Sequence, residues 1–124
     1  MKYEELTHTI IGCIYNVYNA LGFGYLESVY EKALLIELEY TGLEVKSQHP
    51  IQINYRGQVV GDFIVDVLVQ DKVLIELKSV KSLKKIHEAQ LVNYLVSTGI
   101  EVGLLVNFAE EKVEIKRKVR KLDN

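Results

Sequence analysis

FIVDVLVQDKVLIELK, residues Phe63–Lys78, is the stretch on which the fold turns. Two runs rich in valine, isoleucine and leucine flank Gln70-Asp71-Lys72, the pattern of two buried strands joined by a short hairpin. Three ionisable residues interrupt them: Asp66 in the first run, Glu76 and Lys78 in the second. Side chains alternate along a strand, so Glu76 and Lys78 share a face, and closing the hairpin brings Asp66 alongside. Taking a carboxylate out of water costs on the order of several kcal/mol unless something compensates it. Two neighbouring carboxylates cost more, because a proton, a lysine or a metal must neutralise one of them. A hard divalent cation does this well, with waters and substrate phosphate oxygens completing its shell. A plainer reading of the same residues is a salt bridge of Lys78 with Asp66 or Glu76 at a sheet edge.

Working outward, residues 44–55 read as a strand that turns at Arg56-Gly57 into the strand 58–69. The strand 73–80 follows the hairpin. Ser82 is placed to cap a helix over 83–98 that stops at Gly99, and strands over 101–107 and 112–119 complete the chain. Before the strands, Leu6, Ile10, Cys13, Ile14, Val17 and Leu21 recur at spacings of three and four, marking a helix over 2–20. Gly22 and Gly24 break it, and a second helix runs from Leu26 to Tyr40, with Gly42 at its C-terminal cap. The order ααβββαββ predicts one α/β domain over residues 1–124, a central mixed sheet flanked by helices. The passage 73–107 should be a right-handed crossover between two parallel strands.

At 124 residues the chain needs neither disulfide nor structural zinc to hold a core. Cys13 reads as a small core residue. No run approaches the roughly 18 apolar residues of a membrane span, and the start has no signal-peptide pattern, so a cytoplasmic protein with no membrane partner is expected. Net charge is −2, which advertises no nucleic-acid binder. The distribution is less neutral: Lys112–Lys121 is strongly basic with Glu114 its one acid, and Lys78, Lys81, Lys84 and Lys85 follow the Glu76 strand. Such clusters either neutralise phosphates or simply face solvent. On the third helix His87, Gln90 and Tyr94 form a polar stripe, opposite Leu91, Val92, Leu95 and Val96. Tyr25, Tyr30 and Tyr55 read as core or rim residues.

Asp66 followed by Glu76-Leu77-Lys78 on the next strand resembles the D…(D/E)xK core of the PD-(D/E)xK nuclease superfamily. The wider chain resembles its small GxxExxY branch, through Gly24-Tyr25-Leu26-Glu27-Ser28-Val29-Tyr30, Gly61-Asp62-Phe63, His87-Glu88-Ala89-Gln90-Leu91 and Gly103-Leu104-Leu105-Val106-Asn107-Phe108. Val65 stands where the superfamily often has a proline. The resemblance implies a restriction-endonuclease-like fold and an Mg²⁺- or Mn²⁺-dependent nuclease, with DNA as the expected partner. Asp66, Glu76 and the Leu77 backbone carbonyl would hold the metal. Lys78 would orient the attacking water, and Glu27 would supply an outer carboxylate. Gln90 and Tyr94 match a QxxxY pattern that positions the strand and the water. Lys81, Lys84, Lys116, Arg117, Lys118 and Arg120 are the expected nucleic-acid contacts, and a homodimer is expected. Two other functions fit the same residues: a nuclease-fold module that binds nucleic acid or protein without cutting, and a junction-resolvase-like dimer.

Overall fold

Apolar side chains decide where each element of the computed structural model lies; it describes residues 3–120. The order is α1 (Glu4–Leu21), α2 (Glu27–Tyr40), β1 (Val45–Tyr55), β2 (Gln58–Val69), β3 (Val73–Lys78), α3 (Lys85–Thr98), β4 (Val102–Phe108) and β5 (Val113–Val119). The strands form one five-stranded sheet in the order β1-β2-β3-β4-β5. Every neighbouring pair is antiparallel except β3 and β4, which run parallel. Parallel neighbours need a long crossover, and α3 supplies it. This is the expected ααβββαββ mixed sheet with helices on it, consistent with the restriction-endonuclease-like fold.

Two apolar clusters set the layers. Ile10, Cys13, Ile14 and Val17 of α1 and Tyr30, Leu34 and Leu38 of α2 pack with Val67, Val69, Ile75, Leu77, Leu104 and Val106. Leu91 and Leu95 of α3 pack with Leu68, Leu74 and Leu105, the alternate positions of the same strands. One sheet face therefore carries two helices and the other carries α3. Gly103 lets α3 approach closely: a Cβ there would meet a Leu91 methyl at 2.9 Å.

Two expectations about α3 are corrected. Lys84 occupies the N-cap position, not Ser82, and its backbone N–H donates to His87 Nδ1 at 3.0 Å. The imidazole at the third helical position accepts the amide of the N-cap residue, the reciprocal half of a capping box, so His87 takes a capping role. Val96 is 57% exposed, so the buried face narrows to Leu91 and Leu95. No helix among the described residues is long and apolar enough to cross a membrane.

Candidate active site

β2 is twice the length of β3, and the place where their pairing stops is the place where the charges gather. The ladder ends at Val67↔Ile75. One step further the register sets Asp66 opposite Glu76, and the side chains take over the hydrogen bonding. The Asp66 N–H donates to Glu76 Oε1 at 3.1 Å, and the Leu77 N–H donates to Asp66 Oδ2 at 2.8 Å. On the other side of β2, Gln48 has a left-handed backbone (φ 52°) and is skipped between Ser47↔Val67 and His49↔Val65. Val67 packs with the α1–α2 cluster while Val65 packs with the α3 cluster, so the alternation of β2 is reset at Asp66. The sheet opens there, and each carboxylate satisfies a backbone amide that the opening frees.

Glu76 is only 8% exposed. Burial first, and then the neighbouring Asp66, push its carboxyl up to about 8, against the opposing pull of the Asp66 amide and Lys78. Burial also raises the Asp66 carboxyl, opposed by the Leu77 amide and by Lys78. Lys78 thus acts electrostatically on both acids, yet it forms no ion pair with either among the described residues. The salt-bridge reading required such a pair. Each carboxylate spends one oxygen on a backbone amide, and its second oxygen accepts no hydrogen bond from the described residues.

Two helices bring further groups to this opening. Glu27, in the first turn of α2, is exposed and adds to the negative potential at Glu76. Glu31, one turn later, is a group that the sequence pattern alone does not single out. Burial first and Asp66 second raise its carboxyl, and Gln48 Nε2 donates to it at 2.6 Å. Its spacing of four from Glu27 is the one available signal. From α3, the Tyr94 phenol is raised by burial, then by Glu76 and Asp66, and its ring lies 5.6 Å from that of Phe63. Gln90 sits one turn earlier on α3, exposed.

The basic residues divide. Lys81, Lys84 and Lys116 are exposed. Lys118 pairs with Glu88 at 2.6 Å, and Arg120 pairs with Glu101 at 3.8 Å. Arg117 is partly buried, on the opposite face of β5 from Lys116 and Lys118. Lys121 lies outside the described residues.

No three Asp, Glu, His or Cys side chains among the described residues are gathered closely enough to enclose a metal ion. The donor set still suits a hard divalent cation that keeps several waters, for which one or two carboxylates suffice. Asp66 and Glu76 are two acids forced together in a low-dielectric opening, each with an oxygen to spare.

A family model described as the PD-(D/E)XK nuclease superfamily matches residues 4–118. Two similar solved structures share the fold. One is that of SSO0001, at 22% identity and a TM-score of 0.61, covering 77% of this chain and 50% of the other. The other is an alkaline exonuclease from Laribacter hongkongensis, at 16% identity and a TM-score of 0.56, covering 98% of this chain and 72% of the other. The chain thus spans half the length of SSO0001. None of the curated protein sequences matches it.

Proposed function

The chain belongs to the PD-(D/E)XK nuclease superfamily, and from that membership we propose that it is a divalent-metal-dependent nuclease that hydrolyses phosphodiester bonds in DNA at the Asp66–Glu76–Lys78 cluster. The observation that carries this is the buried Asp66–Glu76 pair: burial first and Asp66 second raise the Glu76 carboxyl, and each acid keeps one oxygen that accepts no hydrogen bond from the described residues. A fold gains no stability from such a pair, and a cation gives it a purpose.

Asp66 and Glu76 would hold the ion through their spare oxygens, with the Leu77 carbonyl as a third donor. A bound Mg²⁺ or Mn²⁺ polarises the scissile phosphate and lowers the pKa of its water. Lys78 orients the attacking water and offsets the negative charge that grows on the phosphate. Glu27 supplies the outer carboxylate. Tyr94, held against Phe63, and Gln90 one turn before it position the strand. Lys81, Lys84 and Lys116 contact phosphates, while Lys118 and Arg120 first have to leave Glu88 and Glu101. Two copies would give this small enzyme a footprint on a duplex, and sedimentation reads that directly.

The second reading is a nuclease-fold module that binds without cutting. Retention of Asp66, Glu76, Lys78 and Glu27 around one opening argues against it. The test is cleavage of linear, nicked, branched and single-stranded DNA, and of RNA, in Mn²⁺, Mg²⁺ and EDTA. Metal-dependent cleavage of DNA that vanishes in Asp66→Ala is expected. Binding without cleavage under every condition would favour the silent module.

A further inference from the structure

The loop between α1 and α2 turns on Gly22 and Gly24, both with left-handed backbones (φ 72° and 107°) that other residues resist. It presents Phe23, Tyr25 and Leu26 to solvent, with Phe23 53% and Tyr25 48% exposed. This apolar display is held in place. The buried Tyr30 hydroxyl donates to the Gly22 carbonyl at 2.6 Å and accepts the Tyr25 N–H at 3.3 Å. Ser79, the residue after Lys78, donates its hydroxyl to the Tyr25 carbonyl at 3.1 Å.

The facing wall is held as firmly. Beyond the end of β3, the fully buried Asn107 side chain stands in for a strand partner. Its Oδ1 accepts the Val80 N–H at 2.9 Å, and its Nδ2 donates to the Val80 carbonyl at 2.9 Å and to Glu114 Oε1 at 2.8 Å. Phe108, its ring 4.1 Å from that of Tyr30 and parallel to it, lines the bottom. Between these walls lies a groove of about 900 Å³ that reaches Glu27. That volume is within the range of small-molecule sites, roughly 300–1,000 Å³.

We propose that this groove, formed by Phe23, Tyr25, Val80 and Phe108 beside Glu27, receives unpaired nucleobases, so that the cleavage site takes its substrate as a single strand or a frayed end. The inference rests on the nuclease reading of the neighbouring cluster. A strand whose phosphate lies at Asp66 and Glu76 must put its next base or sugar somewhere close, and the groove adjoins the site through Glu27 and Ser79. Its charge is wrong for phosphates: Glu27, Glu110, Glu111 and Glu114 outnumber Lys81 and Lys112 along it. Its chemistry suits bases. Aromatic side chains stack on the uncharged π-face that every base has, and carboxylates accept hydrogen bonds from exocyclic amino groups. A base still paired in a duplex presents neither its face nor its pairing edge. A groove already shaped also spares the ordering cost of binding.

The test uses the full chain in EDTA and low salt, where no cleavage occurs, with an oligonucleotide carrying 2-aminopurine, whose fluorescence is quenched on stacking. Adding protein should deepen the quenching of the single strand, and excess unlabelled single strand should reverse this while the matched duplex should not. Phe23→Ala, at an exposed position, should keep its melting temperature, lose the quenching and bind roughly tenfold more weakly; Phe23→Trp should restore both. Quenching without metal-dependent cleavage would remove the nuclease reading and leave the groove assignment standing. Equal competition by duplex and single strand would overturn the single-strand requirement. Binding unchanged by Phe23→Ala would overturn the proposal and leave this acidic groove to a basic protein segment.

Discussion

Glu76 lies opposite Asp66 one step past the last paired rung of β2 and β3, and its Oε1 accepts the Asp66 N–H at 3.1 Å. The two acids are therefore built into the sheet where its own hydrogen bonding stops. Their proximity is a property of the backbone register and does not depend on how two flexible side chains settle.

The first consequence concerns pH. The folded protein holds a proton on Glu76 up to about pH 8, while the unfolded chain releases it near its ordinary 4.5. Between those values the native state binds more protons than the unfolded state, so metal-free stability falls as pH rises. The contribution is fully present below pH 4.5 and lost as pH passes about 8. Unfolding free energies from denaturant titrations in EDTA across this range should decline for the wild type, by on the order of a few kcal/mol. Glu76→Gln should flatten the decline; equal slopes would place the proton elsewhere.

Lys78 influences both acids without pairing with either. Lys78→Met should lower the cleavage rate by roughly 100-fold or more while leaving the unfolding free energy in EDTA within about 1 kcal/mol of wild type. A loss of roughly 3–5 kcal/mol would instead mark it as one half of a buried structural pair.

Nucleic-acid binding should separate the basic residues by their present partners. Replacing the exposed Lys81, Lys84 and Lys116 with Gln should make the salt dependence shallower, by roughly one unit of slope for each phosphate that is no longer neutralised. Lys118→Gln should do less, because Lys118 already pairs with Glu88. Filter binding across a salt series reads both, and an unchanged slope for the first group would make these lysines a solubility feature.

The packing of α3 includes one close approach, Leu91 over Gly103. Gly103→Val should cost about 1–3 kcal/mol through overpacking, measured by urea unfolding. Cys13→Ala is the contrasting core change, because it trims a buried side chain and adds no volume.

Much of this is legible in the sequence, for identifiable reasons. Asp66, Glu76 and Lys78 stand out as charges in apolar runs, and the hairpin at Gln70–Lys72 determines which strand faces which. The element order follows from glycine breaks and apolar spacing. What stays hidden depends on tertiary contacts. Glu31 reads as a plain helix-surface acid until Gln48 and Asp66 come against it from the sheet. The reset at Asp66, which sends Val65 and Val67 to different clusters, has no signature in a run of valine, isoleucine and leucine. Asn107 looks like an ordinary polar residue ending a strand, and only the parallel register with Lys78 turns it into a partner for Val80.

Thermal melting of wild type and Glu76→Gln, each in EDTA and in Mn²⁺, tests the central claim most directly. A metal site predicts that Glu76→Gln melts in EDTA at the wild-type temperature where Glu76 already holds its proton, and above it at higher pH, where the amide removes the repulsion from Asp66. It also predicts that Mn²⁺ raises the melting temperature of the wild type but not of the variant, because only an ion bound by the folded state stabilises it. A large drop for Glu76→Gln in EDTA, with no response of the wild type to Mn²⁺, would contradict it.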